Sequence, residues 1–329
     1  MCLQRLLRPQ MRWAFGVSYS QCPSPILCRT RSTIRAQIDR TSNVQSGSRT
    51  EAGGEGESAV QLASLETWFT NVGSRVIACS GGIDSLLLAT LAHRFDPART
   101  RIAHAKSPAV PLEATSRVEA WAASEGWALE IVESGEFGSE DYLSNPVNRC
   151  YFCKTNLYQA IDQIAEAMDG GATLMSGANT DDLGEYRPGL IAADERDVRH
   201  PYVEVGIAKE TIRQVARSLG LPFAELPASP CLASRLYTGT RVTPERLRAV
   251  EVAEALVKER TGLKVVRCRV REDEMVIEVG AGDRDLITEE LMAAVHEAAR
   301  IHMTELVGVA LDAEPYRPGR AFVQIEAAD

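Results

Sequence analysis

Short apolar runs alternate with helical repeats of apolar residues from about residue 58 to Pro222. Such runs predict buried strands, whereas apolar residues at every third or fourth position predict helices that pack on a sheet. We predict strands at residues 75–79, 101–105, 128–132 and 172–176, and helices at 84–95, 112–125, 155–168 and 209–219. This alternation predicts an α/β fold: a parallel sheet with helices on both faces, which binds ligands at the carboxyl ends of its strands.

The pattern changes after Pro222. A loop that contains Pro and Ser leads to a charged helix, which Thr243 caps and Pro244 begins. This helix is predicted at 244–260, and strands at 264–270, 274–279 and 305–311 and a helix at 285–300 follow it. We therefore predict a larger α/β domain at residues 58–225 and a smaller α+β domain at 226–329.

Composition and charge narrow the class of protein. The 329 residues are 45% hydrophobic, as in ordinary globular proteins, and no apolar run approaches the ~18 residues of a membrane span. Residues 1–50 carry a net charge of +7 and the remainder −16, for −9 over the whole chain. The arginine-rich start is typical of a transit peptide, but we favour a disordered extension or an early start codon at 1–57, with a linker at 46–57.

The acidic remainder of the chain disfavours nucleic-acid binding. The eight cysteines are too few for a disulfide scaffold, and they favour a reducing compartment such as the cytoplasm.

The sequence SGGIDS begins at Ser80, between a predicted strand and a predicted helix. Gly81 and Gly82 allow a tight turn with close approach of the backbone to a ligand, and the helix N-terminus presents free N–H groups that suit phosphate. Ser80 and Ser85 add hydroxyl groups. Asp84 would repel a bare phosphate, so the loop predicts a nucleotide bound with Mg²⁺. The alternative is a plain turn in which Asp84 or Ser85 caps the helix.

Acidic and basic residues follow later strands. Asp181 and Asp182 come after the fourth predicted strand, where they either bind Mg²⁺ or the nucleotide, or cap a helix. Arg187 either reaches a phosphate or pairs with Glu185. In the predicted strand at 264–270 and just beyond it, Arg267, Arg269 and Arg271 share one face. We predict that Arg269, Arg271 and the loop residue Arg235 bind an anionic substrate, and that Arg267 is solvated.

Cys150 and Cys153 form a CxxC motif without a second CxxC, and Cys231 lies in the loop between the predicted domains. The CxxC motif and Cys231 suit a zinc site completed by another ligand, and the CxxC motif alone suits a redox pair. Cys79 and Cys268 fall in predicted strands and are predicted to be packing residues.

The SGGIDS loop resembles that of the PP-loop ATP pyrophosphatases, which cleave ATP to AMP and pyrophosphate. Further motifs, in this order, resemble the LarE family: NPVNRCYFCK from residue 145, SGANTDD from 176, EYRPGL from 185, SPCLASR from 229 and RVR from 269. The resemblance implies an ATP-dependent sulfurtransferase that adenylates a pyridinium-3,5-dicarboxylate mononucleotide and makes thiocarboxylates for the nickel-pincer cofactor. A tRNA thiolase, another PP-loop ligase and a non-catalytic nucleotide-binding protein are the alternatives.

The resemblance also implies roles for residues. It implies catalytic roles for Asp84, Cys231, Ser234 and Arg235, and nucleotide or substrate binding by Ser80, Gly81, Gly82, Asp84, Ser85, Asp181, Asp182, Arg269 and Arg271. It implies two sources of sulfur: Cys231 sacrifices its own, or Cys150, Cys153 and Cys231 bind a [4Fe–4S] cluster that takes up sulfide, and we favour the cluster. Glu254 and Glu278 match acidic positions of the family, although Glu254 also suits an exposed helix position. The implied partners are sulfide or another donor, other nickel-pincer biosynthesis proteins and further copies of the chain, with 226–329 as substrate-binding or oligomerisation domain.

Overall fold

The computed structural model describes residues 52–184 and 187–321, with side chains from residue 59 onward. Its larger sheet has four parallel strands: β1 (Arg75–Ala78), β2 (Thr100–Ala105), β3 (Leu129–Val132) and β4 (Thr173–Ser176). Their order in the sheet is β3-β2-β1-β4. Ile77 of β1 pairs with Ile102 of β2 and with Met175 of β4. The predicted α/β fold is confirmed.

Helices cover both faces of this sheet because alternate strand residues point to opposite sides. The helices of this part are α1 (Ala52–Asn71), α2 (Ile83–Phe95), α3 (Leu112–Glu125), α4 (Glu140–Leu143), α5 (Arg149–Glu166), α6 (Pro188–Asp194), α7 (Pro201–Glu204) and α8 (Lys209–Ser218). Ile77 belongs to a core with residues of α1, α2 and α8, whereas its neighbour Val76 belongs to a core with residues of α5.

The remaining elements form a small mixed sheet backed by two helices: α9 (Pro244–Thr261), β5 (Arg267–Arg271), β6 (Glu274–Glu278), α10 (Glu289–Arg300) and β7 (Gly308–Leu311). β6 lies between β5, which is antiparallel to it, and β7, which is parallel. Thr243 caps α9 as predicted, since its hydroxyl accepts the N–H of Arg246 at 3.2 Å. A third core formed mainly by these elements also contains Ala109 and Tyr142 from the first part.

Two predicted boundaries are wrong by six residues. The linker predicted at 46–57 is helical from Ala52 onward, because the helix that Leu65 and Phe69 anchor in the core extends upstream at little cost once it is nucleated. The helix predicted from residue 155 begins at Arg149, so the CxxC motif lies in its first two turns. The rest of the predicted extension lies outside the described residues. In the described part of the chain, no helix is long and apolar enough to cross a membrane.

Candidate active site

The SGGIDS loop joins β1 to α2 in a turn that only glycine accommodates. Gly81 has φ 79°, and a Cβ atom there would lie 2.9 Å from the carbonyl oxygen of Ala114 in α3. Arg117 of the same helix donates a hydrogen bond to the Gly81 carbonyl oxygen at 2.8 Å. Gly82 is the N-cap of α2 and has no side chain with which to cap it. The first-turn amides of α2 are therefore left for a ligand.

The two serines of the loop have different surroundings. Ser85 is buried, and its hydroxyl oxygen lies 3.1 Å from the Ser80 amide nitrogen and 3.1 Å from the Gly82 carbonyl oxygen. Ser80 is exposed at the mouth of the turn. Ser85 thus stabilises the loop, whereas Ser80 is accessible to a bound molecule. Binding of the nucleotide by either serine stays a prediction.

Asp84 forms an ion pair with Lys209, the first residue of α8. The backbone N–H of Lys209 donates to Asp181 at 3.3 Å, so the ammonium group and the backbone of one lysine each contact a carboxylate. Asn179 approaches the other oxygen of Asp84 at 3.5 Å. A loop after β4, the start of α2 and the start of α8 therefore meet at this point.

The loop after β4 packs closely on the start of α2. A Cβ atom at Gly177 would lie 2.9 Å from the amide nitrogen of Ser85, so this approach also needs glycine. Asp182 accepts the Asn179 N–H at 3.0 Å and pairs with Arg187 at 3.0 Å. Asp182 therefore stabilises the turn at Asn179, and binding of Mg²⁺ or the nucleotide by Asp182 stays a prediction. Glu185, the other predicted partner of Arg187, lies outside the described residues.

Cys150, Cys153 and Cys231 are free thiols, and Cys153 and Cys231 pack against the same core. Cys150 and Cys153 lie at the start of α5, and Cys231 is the N-cap of a 3₁₀ turn at Leu232–Arg235. The N–H of Leu232 donates to the carbonyl oxygen of Ala109 at 2.8 Å, which ties this turn to the loop after β2.

Charge on one thiol influences the others. Burial is the main cause that raises the pKa of Cys153, to about 12, while the ammonium group of Lys154 lowers it and the charges of Cys231 and Cys150 raise it. Burial and the charge of Cys231 raise the pKa of Cys150. The three thiols are therefore within electrostatic reach of one another. Among the described residues, no three His, Cys, Asp or Glu side chains are placed to hold a single metal ion.

Two of the predicted anion ligands are engaged by carboxylates. Arg235 is 2% exposed and forms two hydrogen bonds with Glu254, at 2.8 and 3.0 Å. It also donates to the carbonyl oxygen of Cys231 at 3.2 Å. The expectation that Glu254 is exposed is wrong, because the helix turns it into the core towards this arginine.

The arginines of β5 differ from one another. Arg269 is buried, pairs with Glu278 at 2.7 Å and donates to the carbonyl oxygen of Ser234 at 3.1 Å. Arg267, which was expected to be solvated, is buried against the ring of Tyr316, because the β5 face lies under the loop before it and the chain after β7. Arg271 alone of the three is exposed, and it stacks on the ring of Tyr237 at 4.3 Å.

Proteins of other organisms are similar in sequence to parts of this chain. No protein-family profile matches the chain. An uncharacterized protein of Synechocystis sp. is 35% identical over 265 residues, which are 79% of this chain and 96% of that protein. An uncharacterized protein of Methanocaldococcus jannaschii is 27% identical over 183 residues, 56% of this chain and 69% of its own. The pyridinium-3,5-bisthiocarboxylic acid mononucleotide synthase of Lactiplantibacillus plantarum is 31% identical over 145 residues, 44% of this chain and 52% of the synthase.

The chain belongs to the same family as the Synechocystis protein. Lys209 was not predicted from the sequence as a site residue. A signal was available, because a cation at the first position of a helix is opposed by the helix dipole. The ion pair with Asp84 explains why a lysine occupies this position.

Proposed function

We propose that the chain is an ATP-dependent sulfurtransferase acting on a pyridinium-3,5-dicarboxylate mononucleotide. One observation carries the proposal: a glycine turn suited to a triphosphate and the two thiols of the CxxC motif lie at the starts of helices that follow strands of one parallel sheet, and Cys231 is within electrostatic reach of those two thiols. Ligands of such sheets bind at the carboxyl ends of the strands. The likeness to the Lactiplantibacillus plantarum synthase supports the choice of acceptor.

In the first step a carboxylate oxygen of the acceptor attacks the α-phosphorus of ATP, and the bond from that phosphorus to the bridging oxygen breaks. The amides of α2 behind Gly81 and Gly82 hold phosphate oxygens. Asp84 and Asp181 would hold Mg²⁺, since both contact Lys209 and Mg²⁺ takes one or two carboxylates beside phosphate. When bound, Mg²⁺ offsets the charge of the departing pyrophosphate. Lys209 adds a second cation at the same point.

In the second step a sulfur nucleophile attacks the acyl carbon, the carbon–oxygen bond to AMP breaks, and AMP leaves with the former carboxylate oxygen. The sulfur proton passes to solvent, and a thiocarboxylate remains. Repetition at the second carboxylate gives the bisthiocarboxylate. Adenylation is needed because a carboxylate oxygen is a poor leaving group, whereas AMP is a good one.

Cys150, Cys153 and Cys231 would hold a [4Fe–4S] cluster. The fit rests on three thiols within electrostatic reach and on Lys154, whose charge favours the thiolate of Cys153. When bound through three thiolates, a cluster leaves one iron open to sulfide. The alternative within the same function is that Cys231 gives up its own sulfur.

The two parts of the chain divide this work in our proposal. Residues 58–225 supply the ATP site, and 226–329 bind the mononucleotide and other copies of the chain. The exposed stacked guanidinium of Arg271 supports an anion site on the second part. Arg235 and Arg269 support that site indirectly, by holding the turn of Cys231 and Ser234.

The test uses protein purified anaerobically, with Mg²⁺, ATP, sulfide and either the pyridinium dicarboxylate mononucleotide or tRNA. We expect AMP, pyrophosphate and a thiocarboxylate detected by mass spectrometry with the mononucleotide only. Cys231→Ser should release pyrophosphate without a sulfur product, and Cys268→Ser, a buried cysteine in β5, should behave as wild type. Stimulation by tRNA alone would replace the proposal with a tRNA thiolase, and no pyrophosphate with either acceptor would favour a nucleotide-binding protein.

A variant that lacks both CxxC cysteines separates the two sulfur sources. If Cys150→Ala, Cys153→Ala protein still thiolates one equivalent of acceptor and Cys231 becomes dehydroalanine, the sacrificial scheme holds. If the double variant loses iron and sulfur transfer together, the cluster scheme holds.

A further inference from the structure

Tyr142 of α4 is a buried residue near Cys153 and Cys231, and the proposed steps do not use it. Its side chain is 1% exposed, and its ring packs edge-on against Phe137, with 5.5 Å between the ring centroids. Its hydroxyl has no hydrogen-bond partner among the described residues. Burying a hydroxyl without an acceptor is unfavourable, and native proteins rarely leave such a group unsatisfied.

The charged groups near the hydroxyl identify its surroundings. Cys153 and Cys231 pack against the core that contains Tyr142. Burial and then the charges of Cys231, Cys153 and Glu136 raise the pKa of Tyr142 above its ordinary value, against Arg149. A phenol with its ordinary pKa of about 10 already keeps its proton at neutral pH, so the hydroxyl is a hydrogen-bond donor.

Two of these neighbours have other partners. Glu136 accepts the hydroxyl of Ser134, and Arg149 donates to the carbonyl oxygen of Ala233 at 3.0 Å. Arginine has no acceptor to offer. The thiols of Cys153 and Cys231 remain, and neither meets the hydroxyl as a hydrogen-bond partner in the described structure. A sulfur atom bound at these thiols would supply the acceptor.

We infer that Tyr142 donates a hydrogen bond to a sulfur atom held at the three-thiol site, and that it is a positioning residue for sulfur delivery. The inference rests on the proposed function, since that function brings sulfur to these cysteines. A hydrogen bond to a cluster sulfur stabilises the more negative, reduced state, and so raises the reduction potential.

The experiment compares wild type, Tyr142→Phe and the control Tyr151→Phe after anaerobic reconstitution with ferrous iron and sulfide. Tyr151 lies on the same stretch of chain, but its hydroxyl bonds to Glu195 at 2.7 Å at the surface. Tyr142→Phe should bind the same amount of iron, with a reduction potential more negative than that of wild type. Its kcat for thiolation should fall about tenfold with KM for ATP unchanged, as expected when an orienting bond is lost. Tyr151→Phe should match wild type in both.

A second measurement keeps the inference testable if Tyr142→Phe does not fold. In reduced wild-type protein in D₂O, pulsed electron paramagnetic resonance should detect an exchangeable deuteron close to the cluster. Absence of this deuteron, an unchanged potential in Tyr142→Phe, or failure of wild type to take up any cluster would each overturn the inference. A shifted potential in a protein that thiolates no acceptor would leave the role of Tyr142 standing and overturn the proposed function instead.

Discussion

Two opposing electrostatic effects act on the carboxylate of Asp84. Its carboxylate in the first turn of α2 is stabilised by the helix dipole, yet the same amides suit phosphate, which the carboxylate repels. Lys209 offsets the repulsion in the described structure, and Mg²⁺ would do so in the presence of ATP. This balance makes the residue a sensitive test of the nucleotide site.

We predict that Asp84→Asn lowers pyrophosphate release by about 10²-fold or more, because a charged group at the departing phosphates is lost. The ion pair is partly exposed, so the free energy of unfolding should change by less than about 1 kcal/mol. Asp162→Asn is the matched control, since Asp162 pairs with Arg196 at 3.0 Å away from the loop. Kinetics and urea unfolding of both variants check this, and normal pyrophosphate release by folded Asp84→Asn would remove Asp84 from the site.

The pair formed by Arg235 and Glu254 gives a stability prediction. Glu254→Gln leaves a buried guanidinium without its counter-charge, which should lower the free energy of unfolding by about 3–5 kcal/mol. The double variant Arg235→Met, Glu254→Leu should lose less than Glu254→Gln, because no buried charge remains. Urea unfolding measures both. A loss below about 1 kcal/mol in Glu254→Gln would indicate instead that Arg235 serves as an exposed ligand for substrate.

Among the elements, the turn before α2 and the end of α9 carry glycines with similar backbones and different surroundings. Gly81 and Gly262 have φ 79° and 73°, but only at Gly81 would a Cβ atom meet another residue within 4 Å. Both alanine variants should lose about 1–2 kcal/mol from the left-handed conformation. Gly81→Ala should also lower pyrophosphate release about 10²-fold by displacing the loop from α3, whereas Gly262→Ala should not. Equal kinetics in the two variants would show that the loop tolerates this displacement.

What could be predicted from the sequence depends on how far the relevant interaction extends. The strands and α2 were predictable because their signals are local: apolar runs, and the glycines at the turn. The role of Lys209 was not predictable, because its unfavourable position at a helix start does not identify its partner, Asp84, which is 125 residues away. The burial of Glu254 was not predictable for the same reason, since the periodicity of the helix does not reveal that Glu254 pairs with a buried arginine. The conjunction of three thiols could be proposed only through the family resemblance.

Across the whole molecule, the two parts of the chain meet at the thiols. Asn145, buried at the junction of α4 and α5 with φ 55°, donates to the carbonyl oxygens of Tyr237 and Thr240 at 2.8 Å each. Asparagine tolerates this left-handed conformation better than most residues. The third core places Tyr142 among residues of the second part. The thiols therefore lie where both parts contribute, which suits a reaction that joins ATP on one part to an acceptor on the other.

Buried histidines make the stability of the molecule depend on pH. His104 is held between the carbonyl oxygen of Cys79 at 2.8 Å and the hydroxyl of Thr115 at 2.9 Å, and burial lowers its pKa below the ordinary 6.5. Burial likewise lowers the pKa of His93 and of His200. Each contributes stability that is complete above pH 6.5 and is lost as the pH falls from there to the pKa in the folded state.

We therefore predict that the free energy of unfolding decreases from about pH 7 to pH 5.5, with a slope of up to about 1.4 kcal/mol per pH unit for each histidine. Carboxylates titrate mostly below this window, so histidines dominate the slope within it. Urea unfolding at several pH values measures the slope, and His104→Gln should reduce it relative to wild type. A free energy that is constant across the window, or a slope unchanged in His104→Gln, would mean that the folded protein accommodates protonated His104, most simply by turning Thr115 to accept from Nε2 while Nδ1 still donates to Cys79.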